Sequence, residues 1–185
     1  MELYSIVEPT DIDNILIYGA PGSGKSHTAF TAGKYMYTLV FDVDWGAKTL
    51  KNLPPEIQEN IVVLRYTKFS DLNDIYQMLS KNNTPEKWEL FFKNKNIDFK
   101  PKKPFECIII DSISELQRKM QLELQGVDVT KKLENPMNAR GLKIQEWGAV
   151  SDLTATTCSD AFGMLPMTFI ATAHEQMIID EVSGI

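Results

Sequence analysis

Eight consecutive residues, Gly19-Ala20-Pro21-Gly22-Ser23-Gly24-Lys25-Ser26, carry the chemistry of a polyphosphate site. Backbone N–H groups can wrap a phosphate closely only where bulky Cβ substituents are missing, and Gly19, Gly22 and Gly24 meet that need. In this spacing Lys25 reaches the β- and γ-phosphates and Ser26 holds Mg²⁺. The implied ligand is a nucleoside triphosphate with Mg²⁺, with ATP as the expected nucleotide; no base-reading motif stands out. His27 follows directly, either as a structural residue or near the outer face of the nucleotide.

Three further strings end apolar runs in polar residues. Cys107-Ile108-Ile109-Ile110-Asp111 delivers Asp111 to the carboxyl edge of a strand, where it would hold Mg²⁺ through water as a Walker B residue or else cap the next helix. Residue 112 is serine. AAA+ ATPases place a catalytic glutamate there, so this position cannot act as a base, and another carboxylate must polarise the water. Leu39-Val40-Phe41-Asp42-Val43-Asp44-Trp45-Gly46 offers Asp42 and Asp44 at i and i+2, on one face and at one edge. Asp44, last before the Gly46 turn, is the better placed to orient water; a turn-capping role is the alternative. Phe169-Ile170-Ala171-Thr172-Ala173-His174-Glu175 brings His174 to a strand end, either to sense the γ-phosphate or to bond a neighbouring carbonyl.

Parallel strands are needed to bring these ends to one edge. Five are expected near 14–18, 38–43, 61–66, 106–111 and 167–173, with 178–181 as a possible start of another. Helices are expected near 25–36, 70–80, 112–125 and 141–162, the third with a buried stripe of Ile113, Leu116, Met120 and Leu124. Pro85, Pro101 and Pro104 among many Lys and Asn residues mark 81–105 as a surface insertion. It contains a short helix around Trp88, Phe91 and Phe92, which cap the core in preference to stacking on bases.

A length of 185 residues with 43% hydrophobic content fits one globular domain, 1–185. The start lacks a signal-like pattern and no apolar run reaches membrane-spanning length, so a soluble, cytoplasmic protein with no membrane partner is expected. Cys107 and Cys158 have no metal-ligand spacing and read as reduced core residues. The net charge of −6 argues against coating nucleic acid by bulk electrostatics, but it is unevenly spread: −4 over 1–92, +4 over 93–145 and −6 over 146–185. The basic clusters are Lys93, Lys95, Lys100, Lys102 and Lys103, and then Arg118, Lys119, Lys131, Lys132, Arg140 and Lys143.

Together the loop, Asp42-Val43-Asp44-Trp45-Gly46, Ile108–Ser112 and Ala171-Thr172-Ala173-His174-Glu175 resemble phage-encoded RecA-core proteins grouped with the Sak-type single-strand annealing ATPases. The resemblance covers nearly the whole chain; an aspartate at position 44, where the RecA core has glutamate, is a departure. It implies an α/β, three-layer P-loop NTPase fold, RecA-like, with a mostly parallel sheet. It also implies ATP hydrolysis with Lys25, Asp44, Asp111 and His174 as catalytic residues, single-stranded DNA as partner, homo-oligomerisation, and the cytoplasm of a bacterial host. The strand after Walker B should lie between that strand and the loop strand. Basic positions 118–143 are the preferred DNA contacts, with Trp147 as either a stacking or a core residue. The end at Asp180-Glu181-Val182-Ser183-Gly184-Ile185 leads to the expectation that part of the family domain is missing. A small-molecule phosphotransferase and a non-hydrolysing nucleotide-binding interaction module remain as alternatives.

Overall fold

The computed structural model describes residues 13–127 and 143–175. Its sheet contains five strands: β1 (Asn14–Gly19), β2 (Thr38–Asp42), β3 (Ile61–Arg65), β4 (Cys107–Asp111) and β5 (Thr168–His174). All pairings are parallel and the order is β1-β5-β4-β2-β3. The last strand thus lies between the loop strand and the Walker B strand, as expected of the RecA-like reading.

The helices are α1 (Lys25–Phe30), α2 (Pro55–Gln58), α3 (Phe69–Lys81), α4 (Pro85–Asn94), α5 (Ile113–Leu124) and α6 (Ile144–Thr156). Every residue of β2 and β4 is buried, because a parallel strand with helices on both faces has no solvent side. Alternation along the strands separates two cores. Leu39, Phe41, Ile108, Ile110, Phe169 and Ala171 face α3 to α6 with Leu72, Trp88 and Leu116. Val40, Cys107, Ile109 and Ile170 face the opposite way, with Ala29, Phe30 and Ile57. The result is a three-layer α/β sandwich.

Several boundaries differ from the sequence expectation. The first helix gives way after Phe30 to a 3₁₀ turn, Thr31–Lys34, and α6 passes into a π-helical turn, Thr157–Ala161. A 3₁₀ turn at Gly46–Asn52 and the short α2 lack the apolar period that would announce them. The α5 stripe stops early: Leu116 and Met120 are buried, Leu124 is exposed, and Lys119 takes an inside position. Trp88 and Phe92 are core residues. Trp88 packs on Phe105 and donates from Nε1 to Asn83 Oδ1 at 3.1 Å. Among the described residues no helix is long and apolar enough to cross a membrane. The expected strand at 178–181 lies outside the described residues.

Candidate nucleotide and metal site

The loop between β1 and α1 is built from backbone conformations that side chains resist. Gly22 and Gly24 have φ of 80° and 88°, with nothing within 4 Å of where a Cβ would stand, so the requirement there is conformational and not steric. Lys25 is buried, and its Nζ donates to the Gly19 and Ala20 carbonyls at 2.9 and 2.8 Å, which holds the ammonium over the loop. Ser26 is half-buried and His27 exposed beside it.

Strand register brings the carboxylates to the same level. Asp42 pairs with Asp111 across β2 and β4, and Gly19 pairs with His174 across β1 and β5. Asp44 joins them because the chain turns just after β2: the Val43 and Asp44 N–H groups both donate to the Asp111 carbonyl, at 2.7 and 3.2 Å. Trp45 takes a left-handed φ of 68°, uncommon for a bulky residue, under the Arg65 guanidinium, 4.9 Å from its ring centre. The turn closes when Gly46 N donates to Asp42 Oδ1 at 2.8 Å.

One ligand oxygen from each of Asp42, Asp44 and Asp111 falls within 4.8 Å of the others. Asp111 Oδ1 accepts from the buried Thr172 hydroxyl, which orients the carboxylate. The oxygens Asp42 Oδ2, Asp44 Oδ1 and Asp111 Oδ2 are buried without a hydrogen-bond partner among the described residues. A β-carbon on Gly46 would lie 2.7 Å from Asp44 Oδ1, 3.0 Å from Asp111 Oδ2 and 3.4 Å from Ser26 Oγ. Three oxygens of two chemical kinds therefore face one small space. Burial raises the Asp42 and Asp44 carboxyl pKa values; for Asp44 the charges of Asp111 and Asp42 add to this, opposed by the Gly46 amide and His174. For Asp42 the Asp111 charge adds to burial, opposed by the Gly46 and Ala47 amides and by Arg65. Crowded, under-satisfied carboxylates of this kind favour a hard cation with oxygen ligands, and the donor set fits Mg²⁺.

His174 is held by its own backbone, whose N–H donates to Ser114 Oγ at 2.9 Å on the first turn of α5. Its Nε2 stands 3.5 Å from Asp44 Oδ2, while Nδ1 is buried without a partner among the described residues. A cleft of about 340 Å³ is lined by Pro21, Gly22, Gly24, Lys25, Ser26 and His27 on one side and by Asp44, Thr49, Asp111 and His174 on the other. A carboxylate here can orient a water, and an imidazole N–H can bond a phosphate oxygen, since Asp44, Asp111 and His174 line the cleft with the loop.

All the candidate residues of the loop, with Asp44, Asp111 and His174, come together at this edge. Sequence reasoning undervalued Asp42, Gly46, Thr49 and Thr172. Asp42 was legible as the partner of Asp44 at i+2, whereas Thr172 and Thr49 carry no motif of their own. Ser112 caps α5, its Oγ accepting from Glu115 N at 3.3 Å, and the Asp111–Ser112 peptide bond is cis.

The basic stretch expected to meet DNA is corrected in part. Lys119 is buried and donates to the Val43 carbonyl, so it is not a free phosphate contact, whereas Arg118 is exposed and paired with Glu115 through two bonds of 2.7 and 2.5 Å. Lys131, Lys132 and Arg140 lie outside the described residues; Lys143 is exposed. Trp147 is 52% exposed on α6 and is not a core residue. In the other cluster, Lys95, Lys100, Lys102 and Lys103 each face a carboxylate, at 2.7 to 4.0 Å.

A parallel sheet whose first strand opens a phosphate loop, and whose central strands β4 and β2 end in carboxylates at the same edge, defines a P-loop nucleoside triphosphatase core. Residues 13–183 match the family model described as an AAA domain, and the chain belongs to that family. Ser112 therefore does not set the chain outside the AAA domain family, although it leaves that position without a carboxylate. Among solved structures, the crystal structure of the RadB recombinase is similar at a TM-score of 0.42 and 13% identity, over 87% of this chain. The chain spans 60% of the length of that protein. No curated protein matches the sequence.

Proposed function

We propose that this chain binds ATP with Mg²⁺ and hydrolyses it, with single-stranded DNA as its client. The observation that carries the nucleotide half is the small space that Asp44 Oδ1, Asp111 Oδ2 and Ser26 Oγ share above Gly46, opposite Lys25 and the loop. Bound there, Mg²⁺ would supply charge neutralisation on the β- and γ-phosphates. Lys25 and the loop amides bind the phosphates, while Ser26 and Asp111 hold the metal, the latter through water. Asp44 orients the attacking water, and His174 senses the γ-phosphate from the end of β5. Positioning and electrostatics dominate phosphoryl transfer, so these fixed groups are the whole of the apparatus proposed.

Two observations favour this over the alternatives. Asp42 is the residue that accepts the Gly46 N–H in bonding geometry, which leaves Asp44 Oδ1 without a partner among the described residues, contrary to a mere turn cap. A phosphotransferase would close arginines over the phosphates, yet of the two arginines among the described residues Arg65 lies over Trp45 and Arg118 is held by Glu115. The DNA client, the phage recombination role and a homo-oligomer rest on the resemblance to Sak-type proteins. Phosphate release measured with and without an oligonucleotide tests the reading. Lys25→Ala should abolish nucleotide binding, while Asp44→Asn should keep binding and lose turnover by roughly 100-fold or more. Equal hydrolysis by Asp44→Asn would move the base elsewhere, and phosphoryl transfer to a small acceptor would replace the reading.

A further inference from the structure

Lys119 is 6% exposed on α5, yet among the described residues no carboxylate lies within ion-pair distance of its ammonium. An ammonium is costly to bury unless its donors are used and its charge is answered. Its Nζ donates to the Val43 carbonyl and lies 5.3 Å from the centre of the Tyr66 ring. Tyr66 is itself fixed: its N–H donates to the Asp42 carbonyl at 3.0 Å, and its hydroxyl donates to Glu123, which also accepts from Phe69 N at 3.1 Å.

The Val43 carbonyl and the Asp44 N–H belong to one planar peptide unit. Lys119 grips that plane at the oxygen, and the Asp111 carbonyl grips it at the nitrogen. With both ends held, the direction of the Asp44 N–Cα bond is set, which leaves rotation about that bond and the side-chain torsions to aim the carboxylate. The neighbouring charges bear on the same lysine. Burial lowers its pKa, and Asp42 and Asp44 are among the carboxylates that oppose the shift.

We propose that Lys119 is the positioning residue for Asp44, orienting the Val43–Asp44 peptide from the helix that follows Asp111. This rests on the role given to Asp44 above. Residues that orient a ligating or water-holding carboxylate carry about 10- to 100-fold in activity, and small misplacements cost as much.

The test pairs turnover with a probe that needs no activity. Protein labelled with 5-fluorotryptophan gives ¹⁹F resonances from Trp45, Trp88 and Trp147, and Trp45→Phe assigns the one beside Asp44. Lys119→Met, which keeps the volume and removes the charged donor, should shift or broaden the Trp45 resonance and leave that of the remote Trp88 in place. It should also lower kcat about 10- to 100-fold while ATP affinity changes less than about threefold. Lys119→Gln, which keeps a donor, should fall between. If Lys119→Met does not fold, Lys119→Gln carries the same readouts. An unmoved Trp45 resonance with wild-type kcat overturns the proposal, as does a raised KM with kcat unchanged. If the wild type turns over no ATP, the hydrolytic reading fails by itself; Lys119 is then judged on the Trp45 resonance, and an unmoved signal overturns it.

Discussion

Gly46 has no side chain, and the space a β-carbon would fill is the space shared by Asp44 Oδ1, Asp111 Oδ2 and Ser26 Oγ. Its requirement is steric, since its backbone φ lies outside the left-handed range, unlike those of Gly22 and Gly24. Gly46→Ala should therefore fold, yet the methyl group would press on the carboxylate oxygens proposed to hold or orient the cation. Titration with a fluorescent ATP analogue, with and without Mg²⁺, should show that the Mg²⁺-dependent gain in affinity is largely lost, while metal-free binding to the loop is retained. An unchanged Mg²⁺ dependence would place the cation away from Gly46. At this scale the loop was readable from spacing alone, because a string of eight residues is a local signal, and Asp111 was readable as a strand-end aspartate downstream of that loop. Thr172 was not, because its role exists only once β5 lies beside β4.

At the scale of elements, the start of α3 shows how a helix end and the segment after α4 are tied. Asp71 Oδ2 accepts from Lys68 N at 3.2 Å and from the Thr67 hydroxyl, and Lys95 reaches Oδ1 at 3.4 Å. Burial by itself would raise the Asp71 carboxyl, but the Thr67 bond, the Lys95 charge and the Lys68 amide outweigh it and hold the carboxyl below its ordinary value. A depressed folded-state pKa adds stability that is present above the unfolded-state value, about 3.9, and lost as pH falls through the folded-state value. Asp71→Asn should thus destabilise by about 1 kcal/mol at pH 7, or roughly 2–4 °C in Tm, and the gap should close as melts are taken below about pH 4. A constant gap down to pH 2 would show that the charge of Asp71 is not what stabilises α3. Helix α3 itself was legible within a residue at each end, from its apolar period. The 3₁₀ turn at Gly46–Asn52 was not, since it lacks an apolar period and begins with the closure of Gly46 onto Asp42.

For the whole molecule the charge pattern bears on where the proposed DNA client could bind. Lys95, Lys100, Lys102 and Lys103 sit against Asp71, Asp74, Glu89, Glu59 and Glu106, so that face is a mixed, solvated surface of low net field. With Lys119 inside and Arg118 paired, the other basic residues of the middle third are Lys93, Lys131, Lys132, Arg140 and Lys143. Reversing Lys131 and Lys132 to glutamate should weaken binding to a labelled single strand and reduce the slope of log K against log salt by about 1–2, read by fluorescence anisotropy across a salt series. Reversing Lys100 and Lys103 should leave that slope unchanged. If both pairs behave alike, DNA contact is not localised to residues after α5.

Sequence by itself determined the ligand class and the architecture, because a phosphate loop demands glycines at set positions and buried parallel strands demand continuous apolar runs, both written in neighbouring residues. Tertiary structure decided which of two aspartates caps the turn and which stays open, that Lys119 faces inward under the Val43 carbonyl, and that Gly46 stands where a side chain would block the oxygens. Those facts depend on strand order and register, which bring Gly19, Asp42, Asp111 and His174 to one edge from positions up to 155 residues apart. No local pattern encodes that distance: it is set by which strands lie side by side once both faces of the sheet are covered.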